Sequence, residues 1–221
     1  MSTPTTVAPP AAAAPVSAVL VLGIGNLLWA DEGFGVRAVE ALHRRFAWPP
    51  NVSLVDGGTQ GMYLLDHVCA ADRVLVFDAI DYRLPPGTLR VFRDDQVPVW
   101  SDRMMSLHQA TFQELLSLAH LRGRYPSRIT LIGVQPDVLD DLGGSLSPLV
   151  RARLDEAVDL ARAELAAWGI AAEPRSAPPE QPLNADPLTM LTYESGRPAE
   201  TQACRIGDAR FLNQVHGAEP G

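Results

Sequence analysis

Uninterrupted apolar runs alternate along this chain with segments whose apolar residues recur every three or four positions. The first run, AVLVLGI at 18–24, is rich in β-branched residues, as in a strand buried on both faces. Val36, Val39, Leu42 and Phe46 then fall at helical spacing, with Arg37, Glu40, Arg44 and Arg45 between them. WPP at 48–50 stops that helix. VSLVD (52–56) reads as a second strand, and GGTQG (57–61) as a turn in which Thr59 caps a helix over 60–70. RVLVFDAI (73–80) is a third buried strand, and LRVFRD (89–94) alternates like a strand with one wet face. The gap between these two is too short for a parallel crossover, so if they pair they run antiparallel. SLHQATFQELLSLAHL (106–121) predicts a helix with Ser106 as N-cap, and RITLIGVQP (128–136) a fifth strand. Residues 147–169 predict one long amphipathic helix, with Ser147 as N-cap, Pro148 in the first position and Gly169 at the C-cap.

Buried strands alternating with helices predict an α/β fold, a three-layer α/β/α sandwich with a mixed, mostly parallel five-stranded sheet. Its expected span is 17–170. Residues 1–16 read as a disordered extension, and 171–221 as a Pro-rich linker and a weakly periodic C-terminal tail.

Composition narrows the chemistry. The 221 residues are 47% apolar and carry a net charge of −8, so no basic stripe is available for nucleic acid. All 18 basic residues are arginine, which excludes a Schiff-base lysine and a P-loop lysine. Cys69 and Cys204 form no disulfide framework and fit a reducing compartment. The Pro-interrupted N-terminus does not read as a signal peptide, and the apolar run 16–24 is too short to span a bilayer. A soluble cytoplasmic protein without a membrane partner is expected.

VLVLGIGNLLWADEGFG at 19–35 ends a strand in Gly23 and Gly25, as a dinucleotide-binding fingerprint does. Leu28 stands where the third glycine belongs, which breaks the fingerprint; Asp56, at the end of the next strand, is the acid a ribose would use. The same stretch delivers the acid pair Asp31–Glu32 to a helix start, where the plain reading is dipole complementation. Asp78 changes that balance. It closes a strand too apolar to hide a charge, so the strand's C-terminal mouth is its cheapest position. The first and third strands are expected neighbours, which brings Glu32 and Asp78 to one sheet edge, where open α/β sheets bind ligands. His108, at the start of a helix, is a third candidate. Two carboxylates and an imidazole make an N/O site suited to Ni²⁺ or Zn²⁺.

The other candidates read as ordinary. There is no HExxH and no GxSxG. Cys69 is a core residue and Cys204 has no identifiable base. Asp31 and Asp81 read as cap or turn acids. His43 and His67 read as surface residues, and His120 as a helix C-terminal cation.

Taken together, GIGNLLWADEGFGVRAVEAL (23–42), DGGTQGM (56–62), VLVFDAID (74–81), PPGTLRVFRDDQVP (85–98), SLHQ (106–109) and LIGVQP (131–136) resemble the nickel–iron hydrogenase maturation endopeptidases. CRIGDARFL (204–212) resembles the tail of the subgroup serving uptake-type hydrogenases. The resemblance implies an aspartyl-type endopeptidase that removes the C-terminal extension of the hydrogenase large-subunit precursor after nickel insertion. It implies nickel held by Glu32, Asp78 and His108, the metal being supplied by the substrate. These three are also the catalytic candidates, with no nucleophile identified. Gly57, Gly58 and Thr59 are candidate substrate-backbone contacts, and a monomer is expected. Two other readings stay open at this point. One is a non-catalytic, nickel-dependent assembly factor using the same triad, and the other is an NAD- or FAD-binding domain.

Overall fold

Five strands form the central sheet: β1 (Val19–Ile24), β3 (Val52–Gly58), β4 (Arg73–Ala79), β5 (Leu89–Arg93) and β6 (Arg128–Val134). The computed structural model describes residues 17–97 and 107–197, without the side chains of 107–111. The order across the sheet is β3-β1-β4-β6-β5. Neighbours are parallel except β5, which runs antiparallel to β6. The fold is therefore the mixed, mostly parallel α/β/α sandwich read from the apolar runs.

The partner of β5 differs from the expected pairing: it lies beside β6, with Val91 opposite Ile132, and does not touch β4 in the sheet. Buried Gln135, just past β6, sets this arrangement. Its Oε1 accepts the N–H groups of Tyr82 (2.7 Å) and Leu84 (3.2 Å). Its backbone exchanges bonds with Gly87 and Thr88, which carries the connection over the end of β6 before β5 begins.

Apolar side chains point from both sheet faces into two cores. On one face α1 (Phe34–Arg45) and α5 (Leu154–Ala167) pack through Val39, Leu42, Val158 and Leu165. On the other, α2 (Leu65–Ala70) and α3 (Leu107–Leu121) pack through Val68, Leu115 and Ala119. No described helix is long and apolar enough to cross a membrane.

Local punctuation departs from expectation in two places. Thr59 is exposed and caps nothing: a 3₁₀ turn over Gly61–Leu64 precedes α2, and Gln60 occupies its N-cap position without a side-chain capping bond. The predicted helix 147–169 is two helices, α4 (Pro148–Arg151) and α5, because Arg153 N–H bonds Val150 O three residues back and tightens the turn. Ser147 does cap α4, accepting Val150 N–H, and Gly169 closes α5 at φ +81°.

Residues 171–197 lie on this body. β7 (Glu173–Pro174) pairs antiparallel with β2 (Phe46–Ala47). A 3₁₀ turn (Asp186–Leu188) and α6 (Met190–Ser195) follow, resting on α1. There Arg37, one of the polar residues between the apolar positions of α1, is only 3% exposed. It donates to Leu188 O (2.6 Å) and Glu40 Oε2 (2.8 Å), while Glu40 Oε1 accepts Met190 N–H (3.2 Å). His43 is tied down as well, its Nε2 lying 2.9 Å from Gln181 O.

Candidate active site

Glycines in the opening stretch serve close packing. A Cβ on Gly35 would lie 2.1 Å from Ile24 O and 2.3 Å from Phe77 O, so the start of α1 crosses β1 and β4 in backbone contact. Gly23 faces the same crossing, 2.3 Å from Gly35 O by the same measure. Gly25, at φ +141°, would place a Cβ 1.9 Å from Glu32 O. The loop folds back over that bare position through Asn26 N–H to Glu32 O (3.1 Å) and Glu32 N–H to Trp29 O (2.9 Å). Gly25 is therefore the residue that returns Glu32 to the strand end. Asp56 is engaged locally, its carboxyl accepting Gly58 N–H; burial raises its pKa, and Arg37 opposes that shift.

The acid pair divides its labour. Asp31 is fully buried, and its carboxylate accepts four bonds. Asp137 N–H (2.9 Å), Val138 N–H (2.8 Å) and Ser147 Oγ (3.0 Å) reach Oδ2, and Ser147 N–H (2.7 Å) reaches Oδ1. It locks the Glu32 loop to the 137–147 loop and holds Ala30 beside it at φ +40°, a conformation that needs outside support. Glu32, next in sequence, is half-buried.

Asp78 stands at the end of β4, opposite Gly133 of β6 and 4% exposed. Burial pushes its carboxyl well above the ordinary range; Ala79 N–H opposes this, and the Glu32 charge adds to it. The two carboxylates are thus close enough to repel. Tyr82 sits over Gly133, and its phenol is pushed up by burial and by the Asp78 charge. Asp78 opens into a narrow apolar cleft lined by Ile24, Ile80, Tyr82 and Phe112. A second narrow cleft, sharing Ile24 and Phe112, is lined by Gly58, Thr59 and Gly61. Gly57 is buried and does not line it; a Cβ there would meet Leu22 Cδ1 at 2.7 Å.

His108 lies in the first turn of α3, one turn before Phe112 of the shared cleft wall. Its side chain is outside the described residues, as are Ser106 and Cys204. Among the described residues no three His, Cys, Asp or Glu side chains form a metal-sized group. Asp81 is a turn acid, accepting Arg83 N–H (2.9 Å) and Gln135 Nε2–H (3.0 Å). His67 and His120 are exposed, and Cys69 packs at the edge of a core.

The chain as a whole matches known proteins. The model of the hydrogenase maturation protease family, HycI, matches residues 36–164. The chain belongs to the hydrogenase maturation protease family. The hydrogenase expression/formation protein HoxM of Cupriavidus necator is 51% identical over 199 residues, 89% of this chain and 98% of its own. HoxM of Azotobacter vinelandii is 54% identical over 197 residues, 89% of this chain and 95% of its own. The hydrogenase maturating endopeptidase HybD from Escherichia coli superposes with a TM-score of 0.69 at 39% identity, over 72% of this chain and 98% of its own. This maturation protease is accordingly a peptide hydrolase.

Sequence reading missed Tyr82 and Gln135, which shape the cleft wall beside Asp78. The signal for both was the LIGVQP stretch: a strand glycine leaves room for a large neighbour, and a glutamine at a strand end bonds the backbone of the next loop. The glycine geometry also yields a prediction. Gly25→Ala should displace Glu32 and lower the protease's turnover about tenfold or more, on the scale expected for a shift of about 1 Å. Turnover equal to wild type would show that the loop does not need its bare position.

Proposed function

We propose that this protease removes the C-terminal extension of a nickel–iron hydrogenase large-subunit precursor once nickel is in place, acting in the cytoplasm. Glu32, Asp78 and His108 take the substrate's own nickel in this reading. The observation that carries it is the carboxylate pair. Asp78 is buried, its pKa is raised by burial and by Glu32, and no described cation contributes to the balance. A divalent cation at the cleft mouth would reverse that repulsion, and two carboxylate oxygens with an imidazole nitrogen suit nickel. Nickel held there supplies Lewis acidity toward the scissile carbonyl.

The chain's own residues do the rest. Asp31 fixes the loop from which Glu32 projects, and Asp78 presents a carboxyl whose pKa is raised by burial and by the Glu32 charge, so a cation there would favour its ionised form. Gly58 and Thr59 line the adjoining groove, where an extended peptide backbone can lie. A precursor without nickel leaves the carboxylates unneutralised and is bound less well, so cleavage reports that the metal is loaded.

The test is mass spectrometry of the precursor, with and without nickel, after mixing with this protein. Loss of one defined C-terminal peptide from the nickel-loaded form alone is expected. Equal cleavage of both forms removes the metal check, and complex formation without any fragment turns the protein into an assembly factor. Glu32→Gln and His108→Ala should slow processing strongly with little change in melting temperature.

A further inference from the structure

We propose that residues 184–197 form a strap that positions Glu32, with Glu194 and Arg197 as positioning residues. The inference rests on the metal-recognition reading above for its functional consequence, and on geometry alone for its structural one.

The strap grips both supports of the Glu32 loop. Its first anchor is α1, which begins directly after that loop. There the buried Arg37 guanidinium bonds Leu188 O and stacks 5.5 Å from the Tyr193 ring centroid, and Glu40 holds Met190 N–H. Its second anchor is the 137–147 loop. Arg197 bonds Asp141 at 2.5 Å, and Glu194 accepts from Ser145 Oγ and pairs with Arg151. That loop is in turn bonded to the one carrying Glu32. Gly143 N–H reaches Leu28 O (2.7 Å), Trp29 bridges Leu142, and Asp31 N–H reaches Val138 O (3.1 Å).

Loops held by few bonds open locally long before a domain unfolds. A metal-binding carboxylate tolerates only small displacement from its productive position. A brace from α1 to the 137–147 loop closes the route by which the Glu32 loop would lift. The Arg197–Asp141 pair is suited to this, since both side chains are largely covered, at 25% and 29% exposed. A pair in full solvent would hold little.

The test uses the full chain with Arg197→Ala and Glu194→Ala. Hydrogen exchange at the amides of 26–33 and 139–144 should quicken about fivefold, the scale of one partly covered ion pair, with β4 and β6 unchanged. The preference for nickel-loaded over nickel-free precursor should fall by about the same factor. Arg197→Lys, which can still reach Asp141, should recover most of it. Unchanged exchange in both alanine variants overturns the strap. Faster exchange with full nickel preference overturns its role in positioning Glu32. Absence of any nickel preference in the wild type removes the metal reading instead, and the exchange result alone then decides whether the strap braces the loop.

Discussion

Asp78→Asn should make this protease more stable at neutral pH and unable to process its substrate. The carboxyl is 4% exposed and its pKa is raised, first by burial and then by Glu32. A raised pKa in the folded state means that the group's contribution to stability is present in full below the ordinary carboxylate value. It is lost as the pH rises through the folded value. Near neutrality burial of this carboxyl therefore carries a cost that asparagine lacks, while the asparagine Oδ1 can still accept from Ala79 N–H. We expect a gain of about 1–2 kcal/mol at pH 7.5 in metal-free buffer, or a melting temperature higher by roughly 3–6 °C. The difference should shrink as the pH falls toward about 4, where both side chains are neutral. Processing should drop at least about a hundredfold, since even outer partners of metal ligands matter by tens of fold. Thermal melts across pH 5–8, together with mass spectrometry of the precursor, check both halves. A less stable variant that still processes would make Asp78 a structural acid and remove it from the site.

Such a residue was legible before any coordinates, because an acid that ends the run RVLVFDAI has nowhere inexpensive to sit but the strand mouth. The five strands were legible for the same reason: apolar runs buried on both faces carry few polar interruptions. What the pattern did not carry was pairing that depends on single distant side chains. The gap after β4 constrained only a pairing with β4, while Gln135, some fifty residues on, placed β5 beside β6. Periodicity ran unbroken from Val150 through Leu154 to Ala157, so the tightened turn at Arg153 was invisible. Nothing in the helical spacing marked Arg37 and Glu40 as buried, because their partners, Leu188 and Met190, lie some 150 residues away in a segment of weak pattern. Asp31 read as a cap or turn acid by type. The helix it helps to start is α4, more than a hundred residues downstream, and not the one beside it.

That distance sets the second large effect. Asp31→Ala would leave the N–H groups of Asp137, Val138 and Ser147 without their acceptor, the Ser147 one buried and the other two partly so. Unsatisfied donors and a lost charge-assisted acceptor together should cost about 4 kcal/mol, lowering the melting temperature by roughly 10 °C. Asp31→Asn should recover little of this. Oδ1 and Oδ2 both accept from N–H groups, so an amide NH₂ meets a donor in either orientation. Asp81→Ala is the control, since that carboxyl is exposed and its loss should cost only about 0.5 kcal/mol. Urea unfolding of the three variants beside the wild type gives the comparison. An Asp31→Ala variant as mild as Asp81→Ala would mean that the 137–147 loop finds other partners and that the Glu32 loop is not pinned through it. Glu32→Gln, one residue away and half-buried, should melt close to wild type while losing turnover. Two adjacent acids would then fail by different routes, one through unfolding and one through chemistry, as their hydrogen bonds require.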